Sequence, residues 1–242
     1  MIGKGSIFSR VWNRRRIRVL AFTCSRHRPL MLRHCIMQLQ HQTYPADHVV
    51  YVNSSENSYP DETTLQYDLL LDDLRGASTA RIKIAYGPSM SSHKNYLAAL
   101  RLAEVDDYDL FLKIDDDDIY LRDYVKGVVR DFCARRWDYS GSVSTGLLNG
   151  HRWKPKAMLT DLGLEQADRD MGIPGVMPPS AAFSRRAVQA LLEIPDVRCF
   201  EDIVWRRHLA VVPQISMVSR KDRNFVYNIH GGNVSTSHLL QA

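Results

Sequence analysis

Apolar residues occur along the chain in short runs of strand length, separated by segments in which they recur at helical spacing. Runs at residues 17–22, 48–52, 81–86 and 110–114 predict strands, and segments at 29–39, 64–74, 91–103 and 122–134 predict helices that follow them. Polar residues come directly after each predicted strand. This alternation predicts an α/β fold, with a single doubly wound mixed sheet flanked by helices.

The second half of the chain has a less regular pattern. Glycines between residues 141 and 150 and the stretch 171–179 predict irregular structure, of the kind that often forms binding loops. A short strand is predicted at 181–183, and Ser184 is a suitable N-cap for a helix at 185–192. A further helix at 201–209 and late strands at 211–218 and 224–229 complete the prediction.

Composition is typical of one enzyme-sized domain. The chain has 242 residues, of which 45% are hydrophobic and 24% charged. It contains no run of about 18 apolar residues, so no membrane-spanning helix is predicted. The four cysteines lack Cys-x-x-Cys spacing, and we interpret them as reduced thiols of a cytoplasmic protein.

The formal net charge of +5 comes from the N-terminal fifth of the chain. No acidic residue precedes Asp47, whereas nine lysines and arginines do. We interpret residues 1–15 as a basic leader and residues 16–242 as a single domain. A basic leader suits an anionic membrane surface, nucleic acid or phosphate-bearing substrates, and we expect association with the inner face of a membrane.

Four consecutive aspartates, Asp115, Asp116, Asp117 and Asp118, follow the predicted strand 110–114. Ligands of open α/β sheets bind just beyond the carboxyl ends of the strands. Adjacent carboxylates repel one another unless a cation lies among them, and Mg²⁺ or Mn²⁺ prefers carboxylate oxygens and brings substrate phosphates with it. The alternative is a solvated acidic turn, and with apolar residues on both sides a metal and phosphate site is equally compatible with the pattern.

The order of several short motifs along the chain is informative. They are residues 19–23, Arg28-Pro29, Gln42-Thr43-Tyr44-Pro45, Lys94-Asn95, residues 115–118 and Glu201-Asp202. Together they resemble the family-2 inverting glycosyltransferases of the A-type fold, over residues 16–209. The resemblance implies a Rossmann-like sheet in which residues 16–120 bind a nucleotide-diphospho-sugar donor and residues 121–242 bind a glycan or glycolipid acceptor in polysaccharide biosynthesis.

The resemblance also implies roles for individual acidic residues. A D-x-D motif holds a divalent metal against the donor diphosphate in that family, which implies Mn²⁺ or Mg²⁺ at Asp117 and Asp118. Asp115 and Asp116 would then face the donor. The carboxylate of an E-D pair is the general base, which implies Asp202, with Glu201 as its nearest rival.

His230 is a further expected metal ligand, because other A-fold transferases supply a late histidine to the metal. A lone histidine is otherwise more often a surface or packed residue. Polar residues near the strand ends are expected to contact the donor: Thr23, Arg28, Asn53, Ser54, Lys94 and Asn95.

Two of these positions carry a specific argument. Family members commonly have acidic residues after the second strand, where this chain has Asn53 and Ser54, so the resemblance does not imply a preference for uridine. Lys94 is in the predicted first turn of a helix, where a cation opposes the helix dipole, and this favours a bound anion.

Two other functions are compatible with parts of the sequence. A nucleotidyltransferase acting on a sugar phosphate also uses an α/β sheet and metal-bound carboxylates, but it releases pyrophosphate. A non-enzymatic module that binds anions or nucleic acid would depend on the basic leader. Nucleic acid is not the expected partner, because the leader lacks the aromatic interleaving of single-strand binders.

Overall fold

Nine strands form one mixed sheet in the part of the chain that the computed structural model describes, residues 16–26, 28–54, 67, 72–74, 80–88, 90–149, 152–158, 178–195 and 201–229. The strands are β1 (Val19–Arg26), β2 (Asp47–Ser54), β3 (Ile82–Pro88), β4 (Leu110–Lys113), β5 (Ile119–Tyr120), β6 (Tyr139–Asn149), β7 (Arg152–Met158), β8 (Ala182–Ser184) and β9 (Met217–Ile229). The helices are α1 (Pro29–Gln40), α2 (Ser92–Arg101), α3 (Tyr124–Arg135), α4 (Arg185–Leu192) and α5 (Glu201–Val211). Short 3₁₀ turns occur at Asp72–Leu74, Val105–Asp107 and Pro178–Ser180.

The sheet has a parallel half and a mixed half. Strands β3, β2, β1 and β4 are parallel neighbours in that order, so their carboxyl ends lie at one edge. Beyond β4 the order continues through β8, β6 and β9 to β5, and β7 pairs with β6. Because β1 is central in the parallel half, ligands bound at its carboxyl end would meet side chains from the neighbouring strands.

Helices cover both faces of the parallel half. Along β1, Val19 and Ala21 pack on the face that carries α1 and α3, whereas Leu20 and Phe22 pack on the face that carries α2, α4 and α5. This alternation follows from the two-residue period of a strand. A strand that is covered on both faces has apolar side chains at successive positions. Residues 19–22 therefore form a continuous hydrophobic run in the sequence.

The structure confirms the alternation of strands and helices in the first half. Pro29 is the first residue of α1, and the predicted apolar stripe of that helix is buried. In the second half, Ser184 caps α4 as predicted, by accepting a hydrogen bond from the Ala187 N–H. The predicted helix at 64–74 lies mostly outside the described residues, and its described end at Asp72–Leu74 is a 3₁₀ turn.

Three predicted boundaries are wrong. β1 continues to Arg26, although the sequence predicts a strand that ends at residue 22. Gly141 and Gly146, which were expected to lie in irregular structure, belong to the eleven-residue strand β6, which pairs with β7, β8 and β9. Tertiary pairing overrides the weak strand propensity of glycine and serine there. The predicted strand 211–218 instead contains the end of α5, a turn with positive φ at Gln214 and the start of β9.

Among the described helices, none is long and apolar enough to cross a membrane. The three described cysteines, Cys24, Cys35 and Cys133, are free thiols. The basic leader 1–15 lies outside the described residues.

Candidate active site

Three aspartates form a compact group in the turn between β4 and β5. Asp115, Asp117 and Asp118 each have a carboxylate oxygen within 4.8 Å of an oxygen of the other two. The turn follows the carboxyl end of β4, at the edge where the parallel strands end. The group therefore lies where an open α/β sheet binds its ligands.

Asp118 is the most deeply buried member of the group. Its Oδ1 accepts a hydrogen bond of 2.8 Å from the Asn228 N–H, whereas its Oδ2 is buried and accepts no hydrogen bond from any described residue. Burial, followed by the charges of Asp117 and Asp115, raises the pKa of Asp118 well above its usual value. A buried carboxylate oxygen without a donor, next to two further carboxylates, is a donor set that suits a hard divalent cation.

Asp116 does not belong to this group, although it was expected to face the donor. Its buried side chain accepts a hydrogen bond of 2.5 Å from Ser25 Oγ and forms an ion pair of 2.8 Å with Arg28. Burial raises the pKa of Asp116 to about 7, despite the opposing effect of Arg28. Asp116 therefore connects the aspartate turn to β1. Ser25 lies in the part of β1 that the sequence did not predict.

Arg28 lies between two of the aspartates. Its Nη1 is 2.5 Å from Asp117 Oδ2, and its backbone N–H donates to the Tyr67 hydroxyl at 2.9 Å. Burial by itself lowers the pKa of Arg28, but Asp116 and Asp117 more than offset this effect. About a third of the side chain stays exposed, so the guanidinium can contact both the aspartates and an anion beside them.

Lys113 is a site residue that the sequence analysis missed. It is the last residue of β4 and is almost fully buried, with Nζ 2.7 Å from Asp115 Oδ1 and 3.2 Å from Glu201 Oε1. Burial lowers its pKa, but Asp115 and Glu201 more than offset this, so the ammonium stays charged. The available signal was a lysine inside an apolar strand, since a buried lysine requires anionic partners.

Glu201 and Asp202 begin α5 but have different surroundings. Glu201 is buried, accepts a hydrogen bond from Ser92 Oγ and is paired with Lys113. Asp202 is partly exposed, and its backbone carbonyl accepts a hydrogen bond of 2.8 Å from Arg206 Nε. Only Asp202 of the two combines a carboxylate with access from solvent.

A small cavity lies between α5 and the sheet. Its volume is about 10 Å³, and it is lined by Lys113, Tyr139, Pro178, Ala181, Phe183, Asp202, Trp205 and Arg206. The cavity is therefore of the size of a single water molecule. Asp202 and Lys113 thus line the same small cavity.

Two residues expected to contact the donor form hydrogen bonds within the protein. Thr23 is fully buried within β1, and its Oγ1 shares a hydrogen bond of 2.8 Å with His48 Nε2. Asn95 is buried and forms two hydrogen bonds with the backbone of Met90, which close the turn before α2. Both side chains form hydrogen bonds with protein partners, and their donor contacts stay predictions.

The remaining expected residues are distributed along the same edge. Asn53 is buried at the end of β2, and its Oδ1 accepts no hydrogen bond from the described residues. Ser54 is the last residue of β2, and Lys94 is a partly exposed residue in the first turn of α2. His230 lies outside the described residues, so its expected role as a metal ligand stays a prediction.

The Gln42-Thr43-Tyr44-Pro45 motif holds the segment that follows the aspartates. Gln42 Nε2 donates to the Leu121 carbonyl at 2.9 Å, and Gln42 Oε1 accepts from the Val125 N–H at 3.0 Å. The Thr43 N–H donates to the Arg122 carbonyl at 2.9 Å. The motif therefore fixes β5 and the start of α3, which limits the motion of the aspartate turn.

Comparison with solved structures identifies the fold of this chain. Residues 1–349 of TarS from S. aureus, in complex with UDP-GlcNAc, match with a TM-score of 0.62 at 16% identity, over 91% of this chain and 61% of that chain. The mannosyltransferase PcManGT from Pyrobaculum calidifontis, in complex with GDP-Man and Mn²⁺, matches with a TM-score of 0.62 at 15% identity, over 91% and 59%. The chain has the A-type glycosyltransferase fold.

The A-type fold confirms the predicted fold class and, at the level of the fold, the resemblance found in the sequence. A scan against protein-family models and a search of curated proteins find no match. The chain spans about three fifths of the length of these two solved structures. In the A-type fold of this chain, the three grouped aspartates lie beyond β4 and the Glu201-Asp202 pair begins α5.

Proposed function

We propose that the protein is a metal-dependent inverting glycosyltransferase, which moves a sugar from a nucleotide-diphosphate donor to a hydroxyl group of a glycan or glycolipid. The observation that supports it most is the group formed by Asp115, Asp117 and Asp118 at the carboxyl edge of an A-type fold. The buried Oδ2 of Asp118, which has no donor among the described residues, gives that group the character of a cation site.

The three aspartates are the proposed ligands of Mn²⁺ or Mg²⁺, with His230 as a proposed fourth. Such an ion would neutralise the charge of the departing diphosphate. The solved mannosyltransferase with GDP-Man and Mn²⁺ has the same fold, which supports a divalent ion of this type. Arg28, half-buried beside Asp117, is placed to meet a phosphate oxygen as well.

Asp202 is the proposed general base. Its carboxylate takes the proton of the acceptor hydroxyl while the acceptor oxygen forms a bond with the anomeric carbon, and the bond from that carbon to the phosphate oxygen breaks. A base on the face opposite the leaving group inverts the anomeric configuration. Glu201 is less suited to this role, because Lys113 and Ser92 already hold its carboxylate.

The proposed donor contacts lie at the ends of β2 and at the start of α2. The unbonded Oδ1 of Asn53 can accept a hydrogen bond from the nucleotide base, and Ser54 continues the same edge. Lys94 is the proposed partner of an anionic donor group. The neighbouring structures hold UDP-GlcNAc and GDP-Man, so donors of both kinds belong in any screen.

The proposed acceptor is glycan or lipid-linked, and the proposed position is the inner face of a membrane. The support is the charge of the N-terminal fifth, where nine basic residues occur before the first acidic one. Each basic residue near an anionic surface contributes about 1 kcal/mol of attraction.

The test measures release of nucleoside diphosphate, by transfer or by slow hydrolysis, from a panel that includes UDP-GlcNAc and GDP-mannose with Mn²⁺. We expect one donor to be turned over, and Asp202→Asn to lower kcat about a hundredfold or more. Asp106→Asn is the matched control, because Asp106 is exposed near the opposite end of β4. Release of pyrophosphate from a nucleoside triphosphate, with every nucleotide sugar left intact, would contradict the proposal.

A further inference from the structure

Lys113 connects two parts of the site that lie far apart in sequence. Asp115 belongs to the turn after β4, whereas Glu201 and Asp202 begin α5 near the end of the chain. The Lys113 ammonium contacts the first two of these residues directly, at 2.7 Å from Asp115 Oδ1 and 3.2 Å from Glu201 Oε1. The buried ammonium of Lys113 therefore connects the turn that carries the three grouped aspartates to the helix that carries the proposed base, Asp202.

The position of the ammonium is restricted on its remaining sides. Lys113 Nζ lies 4.6 Å from the centroid of the Tyr96 ring, and the Tyr96 hydroxyl donates a hydrogen bond of 2.5 Å to the same Asp115 oxygen. Ser92 Oγ donates to Glu201 Oε2 from the start of α2. Residues of β4, α2 and α5 thus hold each other in a single polar network.

Asp202 is adjacent to this network. Lys113 and Asp202 line the same cavity of about 10 Å³ between α5 and the sheet. Glu201 and Asp202 are consecutive residues of the first turn of α5, so the contacts that hold the Glu201 carboxylate also restrict the position of that turn and of Asp202.

A buried ammonium is costly, and apolar residues in place of a buried ion pair are often at least as stable. The retained charge therefore points to a requirement for defined geometry, of the kind that buried polar groups provide in some systems. Misplacement of a catalytic group by about 1 Å can lower a rate about a hundredfold.

We propose that Lys113 is a positioning residue, which holds the first turn of α5 against Asp115 so that Asp202 faces the metal-bound donor. The inference rests on the proposed function, because it assigns Lys113 an effect on the same reaction. Lys113 does not contact the reacting atoms. It acts through Glu201 and Asp115.

The experiment distinguishes two possible roles of Lys113, which are to position the first turn of α5 and to balance the charge of Glu201. Lys113→Met removes the ammonium but leaves Glu201 buried without its cation, so this variant loses stability. In the double variant Lys113→Met/Glu201→Gln both partners are neutral, and the glutamine can still accept the Ser92 hydrogen bond. Lys126→Met is the matched control, because Lys126 is an exposed lysine of α3.

The measurements are Tm without metal, the Kd for the nucleotide sugar that the wild type turns over with Mn²⁺, and kcat for release of nucleoside diphosphate. We expect the double variant to recover most of the Tm lost by Lys113→Met. Its kcat stays about a hundredfold below that of the wild type, and its donor Kd changes less than about threefold. Lys126→Met matches the wild type in all three.

Several results would overturn the inference. Recovery of both Tm and kcat in the double variant would show that Lys113 only balances charge. A weaker donor Kd with unchanged kcat would make it a donor ligand. A wild type that releases no nucleoside diphosphate from any nucleotide sugar would instead contradict the proposed function, and this inference with it.

Discussion

The Asn228 N–H donates a hydrogen bond of 2.8 Å to Asp118 Oδ1. The Asn228 side chain also donates to the Asp117 carbonyl at 3.0 Å, so β9 holds the aspartate turn at two points. One oxygen of Asp118 is thereby fixed, and the other is left buried beside Asp115 and Asp117. The metal site in our account depends on this arrangement.

Asp118→Asn should separate metal binding from folding. The amide removes a negative charge that burial and two neighbouring carboxylates disfavour, so Tm without metal should not fall. The increase in Tm that Mn²⁺ and a nucleotide sugar give the wild type should be lost, because binding stabilises a protein in proportion to the logarithm of ligand concentration over Kd. Thermal unfolding with and without Mn²⁺ measures both effects.

The control for this measurement is Asp106→Asn, which should keep the full increase in Tm. An Asp118→Asn variant whose Tm rises with Mn²⁺ and donor as much as that of the wild type would exclude Asp118 as a ligand.

Glu201→Gln and Asp202→Asn should differ strongly in turnover although the residues are adjacent. Glutamine can still accept from Ser92 and contact Lys113, so we expect Glu201→Gln to retain kcat within about tenfold. Asp202→Asn removes the proposed base and should lower kcat about a hundredfold or more. Steady-state kinetics of nucleoside diphosphate release compare the two. The reverse order of activities would assign the base to Glu201.

Stability should decrease in mild acid because of His48. Burial lowers the pKa of His48 to about 3, whereas in the unfolded chain it is about 6.5. At pH values between these two pKa values, His48 is protonated in the unfolded chain but neutral in the folded protein. The free energy of unfolding therefore decreases as the pH falls through this range. From pH 7 to pH 5 the loss attributable to His48 is about 2 kcal/mol.

Urea denaturation at pH 7 and pH 5 tests this expectation. In His48→Gln, which can still bond to Thr23, the difference between the two pH values should shrink by about 2 kcal/mol. His41→Gln serves as the control, because His41 is exposed. An equal pH dependence in the wild type and His48→Gln would contradict the assignment.

Local sequence signals predict the parallel half of the sheet because its elements are locally consistent. Pro29 begins α1, and the apolar runs of β1 and β4 reflect burial on both faces. Outside that half, the N-cap of α4 at Ser184 is also encoded locally. Strand β6 was not predictable in the same way, since its glycines and serines acquire strand structure only by pairing with β8 and β9.

Sequence also predicts the aspartate turn, but not its partners. The Asn228 bond to Asp118 and the Glu201 pair with Lys113 join residues that are about 90 to 110 positions apart, and no local pattern encodes such contacts. Thr23 and Asn95 are polar residues that the sequence predicts as donor contacts, and in the structure each bonds to a protein neighbour, His48 and the Met90 backbone respectively. Polarity alone does not distinguish a ligand contact from a buried hydrogen bond.

The most direct test of our account is the affinity for a nucleotide sugar, measured by calorimetry with and without Mn²⁺, for the wild type and for Asp117→Asn. If the three aspartates hold a metal that binds the donor diphosphate, the wild type binds UDP-GlcNAc or GDP-mannose only with Mn²⁺, and Asp117→Asn weakens that binding about tenfold or more. Binding that is equally tight without Mn²⁺ and unchanged in Asp117→Asn would contradict the account.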